Sequence, residues 1–220
     1  FTYTPKKNKI GVDSFTFTAT DPAGKVSREA TVTITILKPT DAAQYTDTIG
    51  RDCRFAAEWM RHTGIFVGEN LAGNPCFGPD KAVSRGEFTS MLVRSLDIEP
   101  EQELALTEYQ EDVPGWLRPY LAAAVRSGLT AGLPEQDIFG EGSVITGGEA
   151  AVMLQNALDL SVPTSLPEEG DCPWAAPAIA ALGQEGIELD ALSPMTRAQT
   201  ATMLYRMRQL LDQRENTPLV

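Results

Sequence analysis

Three stretches of the chain lie on one another without a gap around a shared glycine. They are Asp52 to Gly64-Ile65, Trp116 to Gly128-Leu129 and Trp174 to Gly186-Ile187. Each reads as one amphipathic helix ended by a glycine in the left-handed position just past its last turn. Pro119 and Pro177 fall in the first turn, where a missing N–H costs little. An aspartate precedes each stretch: Asp47, Asp112 and Asp171. A second helix follows in every unit, starting at Ser84-Arg85-Gly86-Glu87, Thr146-Gly147-Gly148-Glu149 and Thr196-Arg197-Ala198-Gln199. These are capping boxes, with Ser or Thr at the N-cap and Glu or Gln three residues on. Val83, Ile145 and Met195 stand just before the caps. Met91-Leu92, Met153-Leu154 and Met203-Leu204 share one later offset and mark a buried face. A helix pair cannot bury both of its faces alone, so three such units are expected to pack together.

The first forty residues have another texture. Phe15-Thr16-Phe17-Thr18 and Thr31 to Ile36 alternate apolar residues with threonine, the period of a half-buried strand. Asp21-Pro22-Ala23-Gly24 is the turn between two such strands. Three strands are expected, over 1–5, 13–20 and 28–37, with the boundary near Lys38-Pro39-Thr40. So small a β segment buries too little surface to be stable alone. The chain begins at Phe1 with no signal peptide in view and is read as a fragment.

Charge follows the same division. The whole chain carries 18 Lys+Arg against 30 Asp+Glu, net −12. Residues 1–40 hold six basic and three acidic residues, a net of +3, which leaves −15 for the rest. That balance excludes a nucleic-acid binder, which needs a basic face for phosphates. It equally opposes docking on an anionic membrane surface. No apolar run approaches the roughly 20 residues of a membrane span, so no membrane insertion is expected. His62 is the one histidine, which argues against a Ser-His-Asp or His-based metal site; metal and cofactor are expected to be absent. No nucleophile-elbow, zinc-protease or phosphate-loop motif is present. The chain is therefore not expected to be an enzyme, and any catalytic domain would lie upstream of Phe1.

Residues 1–38 resemble the C-terminal part of a bacterial Ig-like or cadherin-like repeat, through the hairpin Asp13 to Ile36. The long part resembles three tandem S-layer homology modules, over 45–98, 109–160 and a degenerate 171–212. The first carries Gly64-Ile65-Phe66-Val67-Gly68, Phe77-Gly78-Pro79 and Ser84-Arg85-Gly86-Glu87. The second carries Trp116, Gly128-Leu129-Thr130-Ala131-Gly132 and Thr146-Gly147-Gly148-Glu149. The third carries Trp174, Gly186-Ile187-Glu188-Leu189-Asp190 and Thr196-Arg197-Ala198-Gln199. The resemblance implies a mainly α fold, a pseudo-threefold helical bundle of helix-loop-helix modules with a small antiparallel β segment at the N-terminus. It further implies an extracellular protein held non-covalently on the cell wall. The partner would be secondary cell-wall polysaccharide, possibly pyruvylated, bound in grooves between modules. The alternatives are a protein-interaction or spacer module that meets other surface-layer proteins, or the non-catalytic end of a surface enzyme.

The capping residues are explained by the box itself, but the arginines are not. A cation in a first helical turn opposes the macrodipole, so it calls for a partner. That partner is a carboxylate of the protein or a carboxylate of a ligand held with help from free helix N–H groups. With the resemblance, the ligand is favoured for Arg85 and Arg197. The second unit has Gly147 in place of the arginine, and its groove is expected to lack the charged clamp. In the third, Asp190 replaces the second glycine and the loop is short. One good site or two partial ones are expected. Trp116 and Trp174 either stack on sugar or pack the bundle. The resemblance adds Asp47, Asp112, Asp171, Gly68 and Gly132 to the ligand-contact set. Cys53 and Cys76 lie 23 positions apart and are either a disulfide or free thiols, with Cys172 left over.

Overall fold

The computed structural model describes residues 11–36, 45–101, 113–134, 139–163 and 172–215. The chain divides into two compact units, Phe1–Ala43 and Gln44–Val220. In the first, β1 (Gly11–Phe17) pairs antiparallel with β2 (Ala30–Ile36), setting Phe15 opposite Val32 and Phe17 opposite Ala30. The turn is built by Asp21, whose Oδ1 accepts from the Ala23 and Lys25 amides at 2.9 Å, while Gly24 takes the positive φ of 82°. The strand expected over residues 1–5 lies outside the described residues.

The second unit is helical. Its first helices are α1 (Arg54–His62), α3 (Arg118–Arg126) and α5 (Ala176–Gln184); its second helices are α2 (Arg85–Ser95), α4 (Gly147–Ala157) and α6 (Arg197–Glu215). Each first helix begins two residues inside its aligned segment and ends two before the shared glycine. Gly64, Gly128 and Gly186 there have φ of 74°, 71° and 74°. At Ser84 and Thr146 both halves of the capping box are formed. At Thr196 the Gln199 side chain accepts from the cap amide at 2.9 Å, and the Gln199 amide returns to the hydroxyl. A hairpin, β3 (Glu69–Leu71) with β4 (Asn74–Cys76), enlarges the loop of the first unit.

The residues just before the caps assemble the three units. The Val83 amide donates to the Met195 carbonyl at 3.0 Å, Met195 to Ile145 at 2.9 Å, and Ile145 to Val83 at 3.0 Å. The three apolar side chains are buried where this ring of hydrogen bonds closes. No residue in it lacks a partner, which is what a buried backbone requires. Around it, α2 packs on α3, α4 on α5, and α6 back on α1. Each second helix therefore packs on the first helix of the following unit, and the third unit closes onto the first. Met91-Leu92, Met153-Leu154 and Leu204 are buried in this core, with Met203 packed at its margin. Mainly helical structure with a small antiparallel sheet near the N-terminus is the class the sequence pointed to.

Candidate functional site: the seams between units

Each seam is built on the first turn of a second helix. In the first–second seam the Arg85 amide donates to the Ser143 carbonyl at 2.8 Å and Gly86 to Glu141 at 2.9 Å. In the second–third seam Gly147 donates to Ser193 and Gly148 to Ala191, both at 2.9 Å. In the third–first seam Arg197 donates to Lys81 at 2.8 Å and Ala198 to Pro79 at 2.9 Å. The helix-start N–H groups expected to be open to a ligand anion are thus taken by carbonyls of the neighbouring loop, which relieves the orphan donors of every second helix.

The guanidinium groups follow the same rule. Arg85 is buried, and its Nη2 donates to Glu149 Oε1 at 2.5 Å while Nη1 donates to the Phe139 carbonyl. Its plane lies over the Phe139 ring, 5.7 Å from the centroid. Arg197 Nη1 donates to Glu69 Oε1 at 2.8 Å and to the Phe77 carbonyl at 3.0 Å, with the group 4.8 Å from the centre of the Phe66 ring. Of the two readings left by the sequence, the structure assigns both arginines a carboxylate of the protein. Burial decides this: a guanidinium taken from water needs a close anion, and both have one, although the buried Arg197 Nε makes no hydrogen bond among the described residues. In both seams a glycine makes room. Gly140 (φ 64°) and Gly78 (φ 68°) would each carry a Cβ within 3 Å of the arginine Nη1.

The second–third seam explains its missing arginine. A Cβ on Gly147 would stand 2.1 Å from the Asp190 carbonyl oxygen. The shortened third loop enters the space an arginine would use, and Asp190 fixes that loop through Ser193 Oγ at 2.6 Å and the Leu192 amide at 3.2 Å. Those donors hold the Asp190 carboxyl below the usual carboxylate range.

Glu69 is the centre of charge in the third–first seam. Lys81 Nζ donates to its oxygens at 2.7 and 2.8 Å, and Arg197 completes the set. The Lys81 ammonium first, and then Arg197, lower its pKa. Sequence reasoning passed over Glu69 and Phe139, and took Phe77 only as part of a loop motif. The available signal was the pair Phe77-Gly78 and Phe139-Gly140, present in two units and missing from the third.

The remaining site residues divide. Asp47 accepts from the Phe77 and Gly78 amides at 2.8 Å each, so its carboxylate holds the loop against which Arg197 rests. Gly68 (φ 75°) is a packing position: a Cβ would lie 2.4 Å from the Tyr45 ring and 2.5 Å from the Cys76 carbonyl. Burial raises the Tyr45 phenol to about 12. Gly132 takes a φ of 82° in an exposed turn. Trp116 is 53% exposed and Trp174 36%, and the Trp174 ring lies in the second–third seam, where a Cβ on Gly148 would meet it at 3.3 Å. Asp112 and Asp171 lie outside the described residues. Cys53, Cys76 and Cys172 are free thiols, so the bridge between Cys53 and Cys76 is not formed; the Cys76 sulfur instead lies 3.7 Å from the Thr46 hydroxyl.

An open surface depression of about 450 Å³ lies in the third–first seam between the start of α1 and the first turns of α6, lined in part by Arg51, Asp52, Cys53, Ala198, Gln199 and Met203. Among the described residues no group of three His, Cys, Asp or Glu could hold a metal, and no helix is long and apolar enough to cross a membrane.

Residues 1–35 match the bacterial Ig domain family. Over 199 residues the chain is 25% identical to the "Surface-layer 125 kDa protein" of Lysinibacillus sphaericus, an alignment covering 83% of this chain and 16% of that protein.

Proposed function

We propose that this chain is a binding module, not an enzyme, that holds a bacterial surface protein non-covalently on the cell wall. The helical unit is read as three S-layer homology modules that take secondary cell-wall polysaccharide at the seams. The observation that carries the reading is the closed threefold ring. Three helix pairs interlock through one repeated first turn and leave three seams, with the part-exposed Trp174 ring in the second–third one. Exposed aromatic surface beside fixed polar groups is the chemistry of a saccharide site. Likeness to a surface-layer protein and to a bacterial Ig domain supports an extracellular surface protein.

The motif arginines enter this reading as struts of the seams and not as ligand clamps. The discriminating experiment is sedimentation of the purified chain with cell-wall sacculi before and after the polysaccharide is stripped. The chain should sediment with intact walls and stay in solution with stripped ones. Equal sedimentation in both cases would sink the polysaccharide reading in favour of a protein-binding spacer.

A further inference from the structure

The helical unit begins at Gln44, so a pull arriving along the preceding sequence enters it at Tyr45. Its first helix is poorly built to meet that pull. α1 has nine residues, its N-cap Cys53 makes no side-chain cap hydrogen bond, and Phe55 in its first turn is 78% exposed. A short helix with orphan donors at the pulled end unwinds from that end. The residues before it are fastened instead. Tyr45 is fully buried, its amide donates to Glu58 Oε1 at 3.2 Å and its hydroxyl to the Phe66 carbonyl at 3.3 Å. Its ring packs on Phe77 with centroids 5.3 Å apart. Thr46 Oγ1 donates to the Pro75 carbonyl at 3.3 Å. Asp47 takes the Phe77 and Gly78 amides on separate oxygens. Arg51 closes the row with two parallel bonds of 2.7 Å to Asp80. Thr46, Asp47 and Arg51 therefore all hold one loop, residues 75–80.

That loop does not serve the first unit alone. The Ala198 amide donates to the Pro79 carbonyl at 2.9 Å, and the Arg197 amide to the Lys81 carbonyl at 2.8 Å. Arg197 Nη1 donates to the Phe77 carbonyl at 3.0 Å. One side of the loop thus holds Asp47 through its amides, while its carbonyls hold the first turn of α6. Bonds to an ionised acceptor, such as the pair at Asp47, are about twice as strong as neutral ones. Tension at Tyr45 meets these bonds, and through them the third unit, before it meets α1.

We propose that residues 45–51 are a tension-carrying staple, which passes a pull from the upstream chain through loop 75–81 into the first turn of α6 and spares α1. The proposal rests on the reading of this unit as a wall anchor, since an anchor is what stands under load. The test pulls the full chain at constant force between its N-terminus and a click handle at Glu188, an exposed position of the third unit. Asp47→Asn keeps the size of the side chain but replaces one acceptor oxygen by an amide nitrogen. Loss of one hydrogen bond to a charged acceptor should make the helical unit yield about tenfold faster. Arg51→Ala removes an exposed pair that adds little stability at rest, so its thermal melt should match the wild type while its lifetime under force shortens. A general loss of stability does not produce that split, and this surface variant keeps the test decisive should Asp47→Asn fold poorly. Gly147→Ala is the control. It strikes the second–third seam, off the proposed path, and should lower stability in urea while leaving the yield rate nearly unchanged, because that seam is still intact when the staple fails. A wild-type lifetime in the staple variants, or an effect of Gly147→Ala as large as theirs, overturns the proposal. Should walls fail to hold the chain in sedimentation, the anchoring role falls, and the force measurement still decides the staple.

Discussion

At the scale of single residues, the arginine at a helix start was the anomaly that the sequence exposed and the structure resolves. Arg85 is desolvated, and Glu149 serves two tasks at once: it completes its own capping box and neutralises the arginine of the preceding unit. Removing the cation strands that carboxylate. Arg85→Ala should therefore lower unfolding stability by about 3 kcal/mol or more in urea titration, as breakage of a buried pair does. Arg85→Lys should recover only part, because an ammonium cannot reproduce the fork that bonds Glu149 and the Phe139 carbonyl together. Gly147 makes the opposite point. Alanine is the better helix former by about 1 kcal/mol, yet Gly147→Ala should destabilise, since its Cβ would meet the Asp190 carbonyl. Thermal melts that rise for that variant would contradict the close approach. Both features were written in the sequence as a correspondence between units. Arg85 faces Phe139-Gly140, Arg197 faces Phe77-Gly78, and Gly147 faces a third loop without Phe-Gly. Reading it required knowing that the arginine of one unit meets the loop of the next. Periodicity within a unit cannot show that.

At the scale of elements, helices, caps and terminating glycines were legible because each rests on local chemistry. The length of α6 was not, because it is set by what α6 touches in other units; the β3–β4 hairpin was not read either, although its Asn70–Gly73 turn is local. Glu69 on β3 belongs to a pairing 128 residues away in sequence. Its folded pKa is lowered, so the pair adds stability above the ordinary glutamate value of about 4.3 and loses it as pH falls through the lower folded value. The difference in melting temperature between the wild-type chain and Glu69→Gln should be full near neutrality and shrink steadily in acid. A difference that stays constant down to the acid limit would exclude the pairing as its source. The extra turns of α6 act as a brace. Arg208 bonds Asp97 beyond α2 at 2.8 Å, and Arg214 reaches the Leu158 carbonyl beyond α4 at 2.5 Å. Ending the chain after Met207 should remove these ties and the buried Leu210. Faster amide exchange at the C-terminal turns of α2 and α4 would register the loss; unchanged exchange would mean the brace carries no weight.

At the scale of the whole molecule, the excess of 12 negative charges sets a condition on any wall contact. A secondary wall polymer that is itself anionic is repelled by such a chain at long range, and salt screens that repulsion within about 10 Å at 0.1 M. The sequence alone allowed one or two arginines to overcome it locally. The structure removes them from that role, because Arg85 lies under Phe139 and Arg197 lies against Phe66 and Glu69, each with its charge matched inside the protein. Attraction by counter-ion release needs cations that face the polymer, and a steep fall of affinity with salt is its signature. Wall sedimentation by this chain should therefore hold steady or strengthen between low and moderate sodium chloride, as screening weakens the repulsion and leaves aromatic and hydrogen-bonded contacts intact. A fall of tenfold or more over that range would mean that a basic surface carries the binding. The region to look in would then be the first forty residues, where the chain keeps its net positive charge.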